Sequence, residues 1–354
     1  MTVRNELLKN IRQVEPYVPG EQPQHRVIKL NTNENPYPPS PRVAEALGNL
    51  DADILRLYPD PEASALTEAL AGYYGVDKNQ VFVGVGSDDV LSLCFLTFFN
   101  SEKPILFPDI TYSFYKVWAQ LYRIPYECPK LNDEFRIVRE DYYRENGGII
   151  FPNPNAPTAI YEELDFIEDI LSHNRDSVVI VDEAYIDFAG KSALELIGKY
   201  DNLIVVQTFS KSRSMAGMRI GYAISNPDLI RCLNDVKYSF NSYTMSRAAL
   251  VCGAAAVEDR AYFEDSVRRI KETRERTKKE LAELGFEFTD SKANFLFARH
   301  PRYDCGQLFR ELRDADIYVR HWDDERIGQY LRITVGTDEE MEILLKFLKE
   351  RLSQ

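Results

Sequence analysis

Six short stretches of this chain are apolar on successive residues: VFVGVG (81–86), PILFP (104–108), GIIFP (148–152), SVVIVDEAY (177–185), LIVVQTFSK (203–211) and RIGYAIS (219–225). A strand with one face in water alternates apolar and polar residues, whereas a strand buried on both faces does not. Amphipathic segments of helical length separate the runs, and strands covered by helices on both sides form a mostly parallel sheet. The expected fold class is α/β, with a large domain of mostly parallel sheet flanked by helices. The 354 residues, 44% of them hydrophobic, suffice for such a core and for a second domain.

From about residue 255 the texture changes. A long charged helix at 258–284 precedes NFLFARH (294–300), an amphipathic segment near 304–315, IYVRHW, YLRITVG and a last helix from Asp338, for which Thr337 and Glu340 have capping-box spacing. This reads as a smaller α+β domain. The first 40 residues are rich in Pro and Asn and read as an extended arm, since proline disfavours helix at itself and at the residue before it. Helices are expected over 41–50 and over 63–74, the second ending at Gly75. The resulting division is an arm over 1–45 that joins the small domain, a large domain over 46–255 and a small domain over 256–354.

The balance of 43 basic and 56 acidic residues gives a net charge of −13. Such a surface repels nucleic acid and anionic lipid, so neither is expected as a partner. The odd cysteine count and the lack of a C-x-x-C pair fit reduced thiols in a cytoplasmic protein. The histidines show no metal-ligand spacing, so no metal is expected. No apolar run is long enough to be a signal peptide or a membrane span.

Chemistry concentrates at the ends of the apolar runs. In QTFSKSRSMAGMRIGY (207–222) a buried strand delivers Ser210 and Lys211 to the sheet's mouth. Desolvation there lowers a lysine's pKa and makes it a nucleophile toward carbonyls. Arg219, eight residues on, can return to grip a phosphate with its fork. In VVIVDEAYIDF (178–188), Asp182 ends a strand, where open α/β sheets bind ligands. Its carboxylate can pair with a protonated ring nitrogen, and Tyr185 can reach a phenolic oxygen. The other reading of Asp182, a magnesium aspartate, needs a G-x-x-x-x-G-K-[ST] loop that the chain lacks.

In VFVGVGSDDVLSL (81–93) a strand, a Gly-x-Gly-Ser turn and a helix follow one another, and the amides at that helix start form an anion site. A dinucleotide fingerprint is the rival there, but Asp89 stands where its third glycine belongs. The Pro/Asn-rich turn FPNPNAPTAIY (151–161) offers Asn155 as a donor to a cofactor oxygen, or merely an Asx-turn. Tyr112 follows the strand PILFP and can stack on a flat ring, or be a core tyrosine.

In this order these segments resemble the fold-type I pyridoxal-phosphate aminotransferases, over almost the whole chain. Within that group, LNTNENPYPPSP (30–41), LYPDPEASALTEALAGYYGV (57–76), VDEAYIDF (181–188) and IYVRHW…YLRITVGT (317–337) are similar to the histidinol-phosphate aminotransferase family. The resemblance implies pyridoxal 5'-phosphate bound to Lys211 as a Schiff base. Asp182 would keep the ring nitrogen protonated, Tyr185 and an asparagine would bind the phenolic oxygen, and Tyr112 would stack on the ring. Gly86, Ser87, Asp88, Thr208, Ser210 and Arg219 would surround the cofactor phosphate, with Tyr58 reaching it across a homodimer interface. Arg332 and Arg320 would grip the substrate's distal anion, while Tyr17 and Asn33 belong to an arm closing over the substrate. The implied reaction is ping-pong transamination of L-histidinol phosphate with 2-oxoglutarate.

The turn at 151–161 departs from the family pattern Asn-Pro-Thr-Gly. Alanine stands directly before Pro157, so Asn155 is expected to take the asparagine's role, and Ala159 replaces the glycine that a positive φ favours. The rival readings are an aromatic amino-acid aminotransferase or a threonine-phosphate decarboxylase on the same scaffold. More distant are a dinucleotide-dependent oxidoreductase and a non-catalytic ligand-sensing domain.

Overall fold

The computed structural model describes residues 5–352, so residues 1–4 and 353–354 of the expected arm and small domain lie outside the described residues. The strands are β1 (Ile28–Lys29), β2 (Val81–Gly84), β3 (Ile105–Leu106), β4 (Tyr126–Glu127), β5 (Ile149–Pro152), β6 (Val179–Asp182), β7 (Leu203–Thr208), β8 (Gly221–Ser225), β9 (Glu287–Phe288), β10 (Phe295–Arg299), β11 (Ile317–Tyr318) and β12 (Leu331–Thr334). Seven of them form one sheet in the order β2-β8-β7-β6-β5-β3-β4. All its pairings are parallel except those of β8, which runs antiparallel to both β2 and β7.

Successive residues of the central strands enter different cores, which is why the runs are apolar without alternation. Ile150, Ile180, Ile204 and Val206 pack beneath the helices Ser87–Phe98 and Phe114–Tyr122. Their neighbours Ile149, Phe151, Val179, Val181, Leu203 and Val205 pack on the other face, against the helix Leu164–His173. Asp182 and Lys211 emerge at the carboxyl ends of β6 and β7, on the edge where such sheets bind ligands.

The C-terminal part builds a three-stranded antiparallel sheet in the order β12-β10-β9, and β1 from the arm pairs in parallel with β11. The charged helix spans Arg260–Glu283 and follows a separate helix, Arg247–Glu258. Asp259 divides them by accepting from the Tyr262 amide as an N-cap. The last helix, Asp338–Leu352, carries the expected reciprocal cap: the Thr337 amide donates to Glu340 at 2.8 Å and the Glu340 amide to the Thr337 hydroxyl at 3.2 Å. Ala159 takes a left-handed φ of +61° despite its side chain. It is fully buried, and its amide and carbonyl are both engaged, by Asn155 and by the Lys292 amide.

Two glycines are needed for close approach. A Cβ on Gly86, whose φ is +87°, would lie 2.5 Å from an Arg219 guanidinium nitrogen. A Cβ on Gly221 would lie 2.3 Å from the Gly86 carbonyl carbon and the Ser87 amide nitrogen. Gly221→Ala is therefore expected to destabilise the fold by about 3 kcal/mol, because backbone rather than a flexible side chain must give way. Gly217→Ala, whose Cβ meets nothing within 4 Å, should stay within about 0.5 kcal/mol. Denaturant unfolding of both variants checks this, and equal stability would contradict the packing argument.

Candidate active site

The carboxyl ends of β6 and β7, the turn before the helix Ser87–Phe98 and the loop after β3 enclose a cavity of about 120 Å³. Ser87, Asp88, Tyr112, Asp182, Tyr185 and Lys211 line it, and so do Thr208, Ser210 and Arg219. A wider groove of about 510 Å³ lies between the helices Ser64–Tyr74 and Pro227–Phe240, but none of the expected site residues lines it.

Lys211 is partly buried, and its Nζ donates to the Thr32 carbonyl at 3.0 Å. Burial first, and then the positive charge of Arg332, lowers its pKa from 10.5 to about 8. Asp182 is 4% exposed; it accepts from the Tyr115 hydroxyl at 2.8 Å and from the Ala184 amide at 3.2 Å. Burial raises its pKa to about 6, against the opposing pull of the Tyr115 hydrogen bond. The next carboxylate, Glu183, accepts from Ser192, the Ala193 amide and Gln207, so it is taken up in a buried structural network.

At the helix start the Asp88 carboxylate accepts from the Tyr112 hydroxyl at 2.7 Å and from Arg219 at 3.2 Å. Arg219 itself has a φ of +53°. The Thr208 hydroxyl accepts from the Ser210 amide at 3.1 Å, which tightens the turn leading into Lys211.

Four expected site residues come from outside the large sheet. Arg332, on β12, donates to the Asn31 carbonyl at 2.8 Å and lies over the rings of Phe295 and Trp322, 5.4 Å from each centroid. Its Nε is buried without a hydrogen-bond partner, and burial lowers its pKa from the usual arginine value. Arg320 bridges Arg332 through both backbone amides and lies 5.7 Å from the Trp322 ring centroid. Tyr17 stacks on Phe114 at 4.3 Å. Asn33 is 1% exposed and donates to the Tyr185 hydroxyl at 3.0 Å.

Asn155 does not line the cavity. Its amide nitrogen donates to the Ile110 carbonyl and the Thr158 hydroxyl, both at 3.0 Å, and its oxygen accepts from Thr111. With both N–H bonds committed to the protein it has no donor left for a cofactor oxygen, and Ala156 faces the cavity instead. Tyr58 is 77% exposed, stacks on Tyr243 at 4.6 Å and does not line the cavity of its own chain.

Sequence reasoning missed Tyr115, Thr32 and Trp322. Tyr115 lies three residues after Tyr112 at the start of a helix, a spacing that puts both on one side and could have flagged it. Thr32 contributes through its backbone, for which a sequence carries no signal.

These groups suit a flat, cationic ring that carries a phosphate ester. Glycine at 86 lets the Arg219 guanidinium close over the helix start, and that start already holds one anion, the Asp88 carboxylate, against Arg219. A buried carboxylate braced by Tyr115 offers a partner for a protonated ring nitrogen, and an amine of lowered pKa stands ready for a carbonyl carbon.

Comparison with known proteins agrees. The family model for "Aminotransferase class I and II" matches residues 25–348. The chain is 54% identical to the histidinol-phosphate aminotransferase of Lactococcus lactis subsp. cremoris, over 97% of each chain. It is 56% identical to histidinol-phosphate aminotransferase 1 of Methylococcus capsulatus, over 96% of each. The solved histidinol-phosphate aminotransferase of Sinorhizobium meliloti, in complex with pyridoxal-5'-phosphate, superposes with a TM-score of 0.84 at 24% identity, covering 92% of this chain and 91% of that one. The L-threonine-O-3-phosphate decarboxylase of Porphyromonas gingivalis follows at 0.78 and 20%, covering 93% of this chain and 100% of that one, so the fold is shared beyond one reaction. On the family match and the full-length identities, this chain belongs to the class I and II aminotransferases, which are pyridoxal-phosphate-dependent transaminases.

Proposed function

We propose that this transaminase moves the amino group of L-histidinol phosphate to 2-oxoglutarate, giving imidazole-acetol phosphate and L-glutamate. The observation that carries the substrate is the arginine pair. Among the described residues no carboxylate pairs with the guanidinium of Arg332 or Arg320, and the Nε of Arg332 is buried without a partner. A partly buried cation left unpaired by its own chain calls for an anionic ligand, and two planar guanidinium forks suit a phosphate monoester. The names of the relatives in Lactococcus lactis and Methylococcus capsulatus support the same substrate.

Pyridoxal phosphate, when bound, supplies a ring that withdraws electrons from the bonds at the substrate's amino carbon. Lys211 would hold it through its amine. The turn at Gly86, Ser87 and Asp88, with Thr208, Ser210 and Arg219, would bind its phosphate; Asp182 would face the ring nitrogen, Tyr112 the ring and Tyr185 the phenolic oxygen. A pKa of about 8 leaves part of Lys211 as free amine near neutral pH, so it can take the proton from the substrate's amino carbon and would pass it to the cofactor carbon that carries the amino nitrogen. Tyr17 would cover the substrate next to Arg332.

A homodimer would complete the site. Leu55, Leu57, Tyr58, Phe240 and Tyr243 are each exposed, Tyr58 stacks on Tyr243, and the Arg247 side chain holds the backbone at Leu57 and Tyr58. A second copy covering these side chains would bring Tyr58 to the phosphate site of the other. The pairing of β1 with β11 supports a small domain built from 1–45 and 256–354 around the large domain 46–255. The five free cysteines support a cytoplasmic protein; no helix among the described residues is long and apolar enough to cross a membrane.

The test is a visible titration of the cofactor-loaded protein with L-histidinol phosphate and then L-phenylalanine, followed by initial rates. The cofactor band should be lost at far lower concentration with histidinol phosphate, and the rate lines for the two substrates should run parallel. An equal response to phenylalanine would move the substrate to aromatic amino acids, and release of carbon dioxide would replace transfer by decarboxylation.

A further inference from the structure

The segment Asn31–Asn33 touches three residues of the site at once. The Asn31 carbonyl accepts from Arg332, the Thr32 carbonyl from Lys211, and the Asn33 amide nitrogen donates to Tyr185. Asn33 is the informative contact, because its orientation is fixed from the other side. Its backbone N–H donates to the Thr334 hydroxyl at 3.0 Å, and that hydroxyl donates back to the Asn33 side-chain oxygen at 3.1 Å. This reciprocal pair leaves the NH2 end of the amide toward Tyr185. The Asn33 carbonyl is held in turn by Asn294 at 3.0 Å. The residue adopts a φ of +54°, which asparagine tolerates better than most residues.

A phenol oxygen that accepts one hydrogen bond has its own hydrogen left to give. Among the described residues Asn33 is the donor to the Tyr185 oxygen, and beyond that oxygen lies the cavity, where Ala156 presents only a methyl group. We propose that Asn33 is a positioning residue: it pins the Tyr185 oxygen, turns the Tyr185 hydroxyl hydrogen toward the cofactor's phenolic oxygen, and strengthens that donor in a turn where alanine supplies none. The proposal rests on the reading of the cavity as a pyridoxal-phosphate site.

The consequence is a shift in acidity. With pyridoxal phosphate bound, a hydrogen bond from Tyr185 would withdraw charge from the phenolic oxygen, and a protonated Lys211 nitrogen near that oxygen would then give up its proton more readily. Donation into the Tyr185 oxygen polarises the O–H and enhances the effect. The other charged groups facing Tyr185 are Arg332 on β12, Asp182 on β6 and Asp88 at the start of the helix Ser87–Phe98; Lys211 lies 5.9 Å from the ring centroid. All of them remain in the variants below.

The experiment is a spectrophotometric pH titration of the cofactor-loaded protein, reading the midpoint at which the bound cofactor's visible band changes. Glycine adopts a positive φ without strain, so Asn33→Gly removes the amide while keeping the backbone. Asn33→Gly should raise the midpoint by about half a pH unit, the size expected for weakening one hydrogen bond at second hand. Tyr185→Phe should raise it further, and Asn33→Gly on top of Tyr185→Phe should add nothing. Ala156→Asn in the Asn33→Gly background should bring the midpoint back down by placing a new donor in the cavity. An unchanged midpoint in Asn33→Gly, or the same shift with and without Tyr185, would overturn the proposal. If the unaltered protein binds pyridoxal phosphate without forming a visible band, the reading of the site fails first.

Discussion

Lys211→Ala should lose activity by about 10⁵-fold or more while keeping its fold. Removing the amine takes away both the attachment of the cofactor and an acid–base group already in place, and such prepaid positioning is worth effective concentrations on the order of 10⁵ M. The residual rate should then rise in proportion to added methylamine, which can do the same proton transfer only by collision. Lys211→Arg should not recover the rate, because a guanidinium stays charged at any working pH. Retention of about a hundredth of the activity in Lys211→Ala would be incompatible with this role. The pH dependence follows from the lowered pKa of about 8. The nucleophile is the uncharged amine, so the rate at which cofactor-free protein captures pyridoxal phosphate should climb tenfold per pH unit below about 8 and level off above it. A solvated lysine would keep climbing toward 10.5. The sign for stability is the same: between about 8 and 10.5 the unfolded chain binds the lysine proton more firmly than the folded one, so folding gains as pH rises through that window.

The parts of this molecule visible in its sequence are those that depend on local pattern or on a strand's end. Residues such as Ile149 and Ile150 go to opposite faces of the sheet, and that double burial is legible as an unbroken apolar run. Asp182 and Lys211 were legible because a charge that terminates such a run must sit at the sheet's edge. The resemblance to a known family then supplied the arginines and the cofactor, and the full-length matches support the cofactor.

Contacts between distant segments were illegible. Asn155 looked like a ligand donor, but its amide is claimed by Ile110 and Thr158, and a turn sequence does not say which way a tertiary neighbour will draw its side chain. Asn33 meets Tyr185 across 152 residues and Thr334 across 301, and no spacing rule encodes either pair. The start of the charged helix was legible, expected at 258 and found at Arg260, where Asp259 caps it by accepting from the Tyr262 amide, whereas the preceding helix Arg247–Glu258 was not foreseen. The antiparallel course of β8 was also hidden, since a doubly buried strand reads the same in either direction.

Arg332→Met should make the protein more stable and nearly inactive toward its phosphorylated substrate. In the ligand-free chain this guanidinium has desolvation costs that nothing repays in full: its Nε is buried without a partner, one carbonyl accepts from it, and two aromatic faces lie alongside. Replacing a buried charge by a side chain of similar length that packs on Phe295 and Trp322 is commonly stabilising, here by about 1 kcal/mol. Thermal unfolding of the cofactor-free protein reads this gain. Catalysis moves the other way. Truncating one partner of a desolvated charge pair costs roughly 2–5 kcal/mol, so kcat/KM for L-histidinol phosphate should fall about 10³-fold at tenfold per 1.4 kcal/mol. L-Histidinol, which lacks the phosphate, should turn over slowly in both proteins and lose little in the variant. Arg320→Met should cost less, about tenfold, because the Nε buried without a partner is that of Arg332. Equal losses with and without the substrate phosphate would mean that Arg332 serves the fold or the cofactor, and the phosphate would have to be sought elsewhere. A gain in stability paired with a loss confined to the phosphorylated substrate would show that the chain keeps an unsatisfied cation because its ligand completes it.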